Sequence, residues 1–330
     1  MSILKKEVLW VFSNRNPDNI PSNVVSCILP AKYLNIKMII FLPSFDAKKT
    51  LDKYQPSLII IGAVFYDSTG ILKLIEEAKL RGIKVIVTIA DWNLEKKTEH
   101  DVIQNQIKLS LAKLANCIIV PTMTKSLFIK NKLNINTEVI PDCIRFTHSE
   151  PISKIIEPLE LVWFGNNSNH DTFLEKALPE IFSINIKVNI KVITRLINNI
   201  KKNIKKKYFS NIKFYFVEWT PEMVKEVILS DIAIIPYLND NRRLVKSQNR
   251  IVDAMSMGRF VITSDVSLAD EFKSFCYVGD IGEGCKWVLK NPKKALIKCK
   301  LGKQYVDNKF SVKKISKLWE KIILKNLKKT

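Results

Sequence analysis

Short runs of β-branched and aliphatic residues alternate with longer stretches of helical periodicity along most of the chain, and this alternation constrains the fold more than any other feature. Parallel sheets produce such a pattern, because a crossover helix must connect each pair of parallel strands. The chain has 330 residues, of which 47% are hydrophobic, so it is long enough to bury two separate cores. We therefore predict two α/β domains, each built on a parallel sheet.

Two series of strand-like runs define the predicted domains. The first series is Glu7 to Phe12, Ile36 to Leu42, Leu58 to Val64, Lys84 to Ala90, Cys117 to Pro121 and Glu138 to Ile140. The second series is Leu159 to Phe164, Val188 to Thr194, Ile212 to Glu218, Ile232 to Tyr237, Phe260 to Ser264 and Cys276 to Val278. The polar stretch 145–158 contains two prolines and predicts a linker. The predicted organisation is a first domain at 1–150, a second at 151–310 and a C-terminal helix at 311–330.

The C-terminal segment predicts an amphipathic helix. Lysines cover most of one side, and one helical face collects the apolar residues Val312, Ile315, Trp319, Ile322, Ile323 and Leu327. Packing of this face against the protein is the favoured interpretation. The alternative is docking on a membrane surface, which suits a basic amphipathic helix that carries a tryptophan.

The formal net charge of +21 is the most unusual feature of the composition. Such a charge attracts polyanions, so nucleic acid and anionic membranes are candidate partners. Nearly all of the excess is lysine, however, accompanied by abundant Ile and Asn, and an AT-rich coding sequence produces this mixture. Aromatic residues are not interleaved with the basic runs, as a single-strand-binding groove requires. We therefore do not expect nucleic acid as a partner, and we keep peripheral contact with an anionic membrane as an open alternative.

Targeting and metal-binding signals are missing from the sequence. No segment reaches the roughly 18 uninterrupted apolar residues of a membrane span, and Met1 to Trp10 lacks the features of a signal peptide. We expect a cytoplasmic protein, with the inner membrane face as a second candidate location. Six cysteines form no C-x-x-C pair, and only three histidines are present, so no metal site is expected. Neither a G-x-G-x-x-G after a strand nor a P-loop motif occurs, which argues against dinucleotide and P-loop chemistry.

The most informative stretch runs from Ser230 to Asp265 and reads SDIAIIPYLNDNRRLVKSQNRIVDAMSMGRFVITSD. It predicts a strand ending at Tyr237, a basic loop and a helix that starts near Ser247. Three features follow in order, namely Asp253-Ala254-Met255, Gly258 and the strand Val261-Ile262-Thr263-Ser264. In this respect the stretch resembles the donor-binding region of GT-B glycosyltransferases, particularly the group 1, or family 4-like, set. Two further segments resemble the start of that family's second domain and the end of its first, namely Leu161 to Gly165 and Val139 to Asp142.

The resemblance implies two Rossmann-like domains that face each other across a cleft. It also implies a glycosyltransferase that moves a sugar from a nucleoside diphosphate sugar, as co-substrate, to a glycan or lipid-linked acceptor, with retention of configuration. No D-x-D occurs, so metal independence is expected. The family usually has two glutamates, and Val245 stands in place of the first while Asp253 stands in place of the second. A non-catalytic relative that binds a nucleotide or glycan therefore stays open, as does a basic protein that binds nucleic acid or anionic membrane.

The candidate site residues combine this resemblance with physical reasoning. A helix N-terminus presents unpaired N–H groups and a partial positive charge to a diphosphate. Lys246 and Arg250 add full charges, and Asp253 lies about 9 Å along the helix, at about 1.5 Å per residue, where it suits ribose hydroxyls. Asp91 follows a first-domain strand and is either a site residue or a helix cap. The predicted catalytic residues are Asp91 and Lys246, and the predicted donor-binding residues are Gly165, Asn166, His170, Arg195, Arg243, Ser247, Gln248, Asn249, Arg250 and Asp253.

Overall fold

The computed structural model describes residues 2–62, 69–92, 94, 98–146, 149–204, 211–220, 222–240 and 245–328. The chain divides into two compact units. The first comprises Met1–Cys143, Val245–Ser247 and Phe310–Thr330. The second comprises Ile144–Leu244 and Gln248–Lys309. None of the helices in the described ranges is long and apolar enough to cross a membrane.

The first unit is built on a six-stranded parallel sheet with the order β2-β1-β3-β4-β5-β6. Its strands are β1 (Val8–Phe12), β2 (Lys37–Ile40), β3 (Leu58–Ile61), β4 (Lys84–Thr88), β5 (Cys117–Val120) and β6 (Glu138–Val139). Strands β1 and β3 are buried along their whole length. This burial explains their continuous apolar sequences, because parallel sheets are covered by helices on both faces.

Helices surround this sheet. They are α1 (Ser2–Glu7), α2 (Pro21–Asn23), α3 (Leu29–Tyr33), α4 (Ala47–Tyr54), α5 (Thr69–Leu80), α6 (Glu99–Leu114), α7 (Met123–Leu133) and the C-terminal helix (Val312–Leu327). A 3-10 turn (Pro17–Asn19) precedes α2, and a π-helical stretch (Val24–Ile28) joins α2 to α3.

The C-terminal helix packs on the first unit through its apolar face. Ser311 caps its start by accepting a hydrogen bond from the backbone N–H of Lys314. Trp319 is only 1% exposed, and its ring lies edge-on to Trp10 with 4.8 Å between the ring centroids. The apolar face of this helix, for which docking on a membrane was the alternative, therefore packs into the core of the first unit.

The second unit is built on a parallel sheet with the order β12-β11-β10-β7-β8-β9. Its strands are β7 (Leu159–Phe164), β8 (Val188–Thr194), β9 (Ile212–Glu218), β10 (Ile232–Ile235), β11 (Phe260–Thr263) and β12 (Tyr277–Val278). The chain moves outward from β7 to β9 and then returns to the other side of β7 with β10. The direction of strand order thus reverses between β7 and β10, as in doubly wound nucleotide-binding sheets.

The helices of the second unit are α8 (Leu178–Phe182), α9 (Ile197–Ile204), α10 (Val224–Ile228), α11 (Asn249–Ser256), α12 (Ile281–Lys290) and α13 (Pro292–Lys309). Two 3-10 segments (Asn167–Asn169 and Ser267–Phe272) and a π-helical stretch (Thr172–Ala177) complete it. The α/β class and the parallel sheets predicted from the sequence are confirmed.

Helix α11 begins two residues after Ser247, near which the sequence predicts its start. Its first residue is Asn249, and Gln248 takes the N-cap position without a side-chain capping bond. Lys246 and Ser247 consequently precede the helix instead of forming its first turn.

Candidate functional site

The reversal between β7 and β10 defines the place where a ligand is expected in the second unit. In doubly wound sheets, ligands bind beyond the carboxyl ends of the strands at this point. Four neighbouring strands, in the order β8-β7-β10-β11, direct their carboxyl ends to the same edge. The residues that follow them are the candidates for a binding site.

The loop after β7 is tightly folded. A Cβ atom on Gly165 would lie 3.0 Å from the ring of Trp163, so the turn accepts a larger residue only with movement of that ring. The Asn166 side chain accepts a hydrogen bond from the N–H of Asn167 at 2.8 Å. The Oδ1 atom of Asn167 is buried and has no hydrogen-bond partner in the described part of the chain. A ligand or a water can supply the missing contact of such an atom, and eleven other buried polar side-chain atoms in the described part of the chain also have no partner.

His170 connects this loop to the next strand. Its Nε2 lies 2.8 Å from Oγ1 of Thr194, the buried last residue of β8. Burial lowers the pKa of His170, and the nearby Asp171 carboxylate opposes this shift only in part. Since the ordinary His pKa is about 6.5, the imidazole is mostly neutral at pH 7. It can thus donate or accept a hydrogen bond, but it contributes little positive charge for a phosphate.

We expect His170→Gln to flatten the pH dependence of stability. The pKa of His170 is lower in the folded state than in the unfolded state, so the unfolded state binds more protons when the pH falls through about 6.5. The folded state therefore loses stability relative to the unfolded state as the pH falls through this range. The glutamine amide can keep a contact with Thr194 but does not titrate. Urea unfolding of the wild type and the variant at about pH 7.5 and about pH 5.5 measures the difference. Equal losses of stability on acidification in both proteins would contradict this role.

Arg195 follows β8 directly and is exposed. Its guanidinium carbon lies 4.6 Å from the ring centroid of Trp219, which follows β9. The next residue, Leu196, has a positive φ of 54°, so the chain turns sharply here. The predicted donor residue Arg195 therefore lies over an indole ring at the carboxyl edge of the sheet.

Arg250, in the first turn of α11, lies against the end of β10. Its guanidinium carbon is 5.1 Å from the ring centroid of the buried Tyr237. Burial raises the pKa of the Tyr237 hydroxyl, and both the Arg250 charge and a side-chain hydrogen bond with Arg250 oppose this rise. Arg250 Nη1 is buried and finds no hydrogen-bond acceptor among the residues that the structure describes. One buried nitrogen of the Arg250 guanidinium thus lacks an acceptor, in the first turn of a helix beside the end of β10.

Asp253 is buried rather than solvated. Its Oδ2 accepts a hydrogen bond from Nη2 of Arg145 at 2.5 Å, and the exposed fractions of the two side chains are 6% and 17%. The guanidinium of Arg145 also lies 4.8 Å from the ring centroid of Phe146. The carboxylate predicted to bind ribose is therefore held in one orientation by an arginine that the sequence placed in a linker.

The segment that carries Arg145 also fixes the end of α11. Arg259 donates hydrogen bonds to the carbonyl oxygens of Glu150, Ile228 and Ser230. The N–H of Ile152 donates to the carbonyl oxygen of Gly258 at 3.1 Å. Helix α11, which carries Arg250 and Asp253, is consequently anchored to the segment at both its middle and its end.

The remaining predicted residues of α11 have varied environments. The Gln248 side chain donates to the carbonyl oxygen of Leu268 at 3.3 Å, so it contacts the protein. Asn249 is half-buried at the first position of the helix. Arg243 lies outside the described residues.

The two predicted catalytic residues, Asp91 and Lys246, belong to the first unit. Both interact electrostatically with Lys125, which is fully buried and donates a hydrogen bond from Nζ to the carbonyl oxygen of Ala90. Burial lowers the pKa of Lys125 to about 8. Asp91 is exposed, and it does not cap the next helix, because Thr98 caps α6. The helix-cap interpretation of Asp91 was therefore wrong.

Of the predicted residues in the second unit, Gly165, Asn166, His170 and Arg195 follow β7 and β8 at the carboxyl edge of the sheet. Gln248, Asn249, Arg250 and Asp253 belong to α11 and its N-cap, where Arg250 lies against Tyr237 beyond β10 and Asp253 against Arg145. Lys246 and Ser247 group with the first unit instead. Sequence reasoning missed the partners of the site residues, which are Arg145, Thr194, Tyr237 and Lys125. Lys125 lies in the first turn of α7, three residues after the capping Thr122, and no pattern in this local sequence indicates a buried lysine.

Within the described ranges, no three His, Cys, Asp or Glu side chains are arranged to hold a metal ion. All six cysteines are free thiols, and five of them are buried.

Comparison with known proteins gives a fold but no close relative. No protein-family model matches the chain, and no curated protein sequence matches it either. Solved structures match over nearly the full length. One is Anabaena Alr3699/HepE in complex with UDP and glucose, with 10% identity, a TM-score of 0.67 and coverage of 97% of this chain and 100% of that chain.

Two further solved structures are similar. AviGT4, a glycosyltransferase involved in avilamycin A biosynthesis, has 10% identity, a TM-score of 0.61 and coverage of 97% and 98%. The phage T4 BGT in complex with UDP and Mn²⁺ has 12% identity, a TM-score of 0.58 and coverage of 98% and 99%. At these identities the likeness concerns the fold. The chain has a GT-B glycosyltransferase-like fold.

Proposed function

We propose that the protein transfers a sugar from a nucleoside diphosphate sugar to a glycan or lipid-linked acceptor. The observation that carries this proposal is the buried Nη1 of Arg250, which lacks an acceptor in the described part of the chain and lies at the reversal point between β7 and β10. A diphosphate supplies the acceptor oxygens that such a donor requires. The GT-B glycosyltransferase-like fold, and the UDP named in two of the similar structures, support the same ligand class.

The diphosphate is proposed to bind at the start of α11. The first N–H groups of a helix are without intrahelical partners, and the helix dipole places a partial positive charge there. Arg250 adds a full charge in the same turn. When the sugar–phosphate bond breaks, negative charge develops on the leaving diphosphate, and donors that are already oriented stabilise this charge without reorganisation. This requires no covalent intermediate with the protein.

The ribose is proposed to bind to Asp253. An ionised carboxylate has about four lone-pair sites on two oxygens, and Arg145 uses Oδ2. Oδ1 then accepts hydrogen bonds from ribose hydroxyls. In this role Arg145 is a positioning residue, because it fixes the carboxylate without contacting the nucleotide.

Asp91 and Lys246 are the proposed residues of the chemical step. Asp91 is exposed beyond the carboxyl end of β4, so its carboxylate is accessible to a sugar hydroxyl. The buried Lys125 fixes the preceding residue, Ala90, and thereby supports the position of Asp91. Retention of configuration is proposed from the resemblance to family 4-like enzymes.

A donor panel tests the proposal directly. The protein is incubated with UDP-, GDP- and ADP-sugars, and release of the nucleoside diphosphate is measured with and without glycan acceptors. Turnover of one donor class supports a glycosyltransferase. Binding of a nucleotide without any release would instead support the non-catalytic alternative, for which the replacement of a family glutamate by the buried Val245 is the relevant observation.

Activity is expected to survive removal of divalent metal ions. The sequence has no D-x-D, and the charge of the leaving diphosphate is proposed to be stabilised by Arg250 and helix N–H groups instead of a metal. Donor release is measured after dialysis against EDTA and again after Mg²⁺ or Mn²⁺ is restored. Loss of activity in EDTA with recovery on addition of either metal would overturn this expectation.

A further inference from the structure

The exposed side of the C-terminal helix carries charge of a single sign. Its exposed residues are Leu318, Leu324 and the lysines Lys313, Lys314, Lys317, Lys321, Lys325 and Lys328. We call this surface the lysine face. The only acidic residue of the helix, Glu320, is half-buried. An exposed helix surface with six lysines and no exposed carboxylate repels itself unless an anionic partner covers it.

The packing of the helix fixes the orientation of this face. Because Trp319 and Ile323 are buried in the core of the first unit, the helix cannot rotate to change which residues it exposes. Lys313, Lys317 and Lys321 follow each other at intervals of four residues and therefore form one row. These three lysines make no ion pair with any residue that the structure describes, whereas Lys325 pairs with Glu138 at 2.7 Å.

Compositional bias does not account for the lysine face. The whole chain has 32 acidic residues against 53 basic ones, so a face with six lysines and no exposed carboxylate departs from the average composition. The exposed side of α13 also lacks a carboxylate, but it carries four lysines, namely Lys293, Lys294, Lys300 and Lys309, and one of them pairs with Glu271. The one-sided charge is consistent with a surface that contacts an anionic partner.

The side chains between the lysines favour a bilayer over a nucleic acid. Leu318 and Leu324 are 42% and 36% exposed on the same surface. At a membrane, lysine stems extend along apolar material while their ammonium groups contact lipid phosphates, and leucines enter the acyl boundary. A nucleic-acid backbone offers leucine no comparable environment. The face also lacks arginine, the residue best suited to bidentate contact with phosphate.

We propose that the lysine face of the C-terminal helix docks the protein on an anionic lipid bilayer. The contact is mainly electrostatic, since six lysines face outward while Trp319, Ile322 and Ile323 stay in the protein core and only two leucines are exposed. Each lysine near an anionic surface contributes about 1 kcal/mol, which corresponds to about a fivefold change in affinity. The inference does not depend on the nucleotide site of the second unit, so an Arg250→Gln variant should bind vesicles as the wild type does.

Vesicle co-sedimentation with a matched pair of variants tests this inference. The test variant is Lys313→Gln, Lys317→Gln and Lys321→Gln. The control variant removes the same charge from three exposed lysines of α13 in the second unit, through Lys293→Gln, Lys294→Gln and Lys300→Gln. Circular dichroism verifies that both variants are folded. Phosphatidylcholine vesicles are used with and without phosphatidylserine, at low and at high salt.

The wild type should bind only the vesicles that contain phosphatidylserine, and high salt should release it, because salt screens charges on the two surfaces. The test variant should lose about a hundredfold in affinity, from about fivefold per lysine, while the control variant loses far less. Equal losses in the two variants would overturn the location of the surface. Binding that persists at high salt would overturn its electrostatic nature. Tighter binding to duplex DNA than to vesicles, with the same loss in the test variant, would assign the face to nucleic acid instead.

Discussion

Gly258→Ala is expected to lower the free energy of unfolding of the second unit by about 2–5 kcal/mol. Gly258 has a positive φ of 69°, which costs a residue with a Cβ about 1–2 kcal/mol. A Cβ there would also lie 2.4 Å from the carbonyl oxygen of Glu150 and 2.8 Å from Cα of Pro151. Both are backbone atoms, so a Cβ at position 258 fits only if the backbone at Glu150 and Pro151 moves away from α11.

A second glycine separates the two causes. Gly82 has a similar φ of 72°, but a Cβ there has nothing within 4 Å. Gly82→Ala should therefore show only the backbone cost of about 1–2 kcal/mol. Calorimetric unfolding of both variants measures the difference. A loss in Gly258→Ala that is no larger than the loss in Gly82→Ala would contradict the close packing of the segment on α11.

Asp253→Ala is expected to destabilise the second unit by about 3 kcal/mol. The Arg145 side chain is only 17% exposed in the structure, and the substitution removes the carboxylate that pairs with it. Loss of one member of a buried ion pair is costly because the remaining charge is desolvated and uncompensated. The 17% exposure of Arg145 places the expected cost at the lower end of the range for buried pairs.

The double variant Arg145→Met with Asp253→Leu is the control. Replacing both charges with apolar side chains of similar size removes the uncompensated charge, so most of the lost stability should return. Urea unfolding gives the free energies of the wild type, the two single variants and the double variant. If the double variant is as unstable as the sum of the single variants, the two side chains are not coupled in the way the structure indicates.

The sequence predicted the strands of the second unit more accurately than the contacts made by the candidate site residues. The bounds of β7, β8 and β9 agree with the predicted runs to the residue. These strands contain regular β-branched and aliphatic sequences that are bounded by polar loops, and this signal is local. Several other predicted strands were too long by one to three residues, because apolar residues continue beyond the last ladder hydrogen bond. Ile232–Ile235, for example, is followed by Pro236 and the buried Tyr237.

The geometry of the site was less predictable because its contacts are distant in sequence. The Arg145–Asp253 pair joins residues 108 positions apart, and Lys125 contacts the carbonyl oxygen of Ala90 from 35 positions away. Neither pair has a local pattern, and a single sequence contains no information on which distant charges meet. The position of Arg145 after a strand and before two prolines indicated a linker, yet its side chain lies against α11.

The central claim is that α11 of the second unit binds a nucleoside diphosphate, and isothermal titration calorimetry tests it most directly. UDP is the first ligand, followed by GDP, ADP and inorganic pyrophosphate.

Arg250→Gln removes a charge-assisted contact of about 1.5–3 kcal/mol, so affinity should fall roughly tenfold to a hundredfold. Asp253→Asn should weaken nucleoside diphosphate binding and spare pyrophosphate, because it affects the ribose contact. Arg81→Gln, in an exposed ion pair of the first unit, is the matched control and should bind as the wild type does. A wild-type protein that binds one of these nucleotides and shows this pattern supports the account, whereas unchanged affinity in folded Arg250→Gln and Asp253→Asn variants would contradict it.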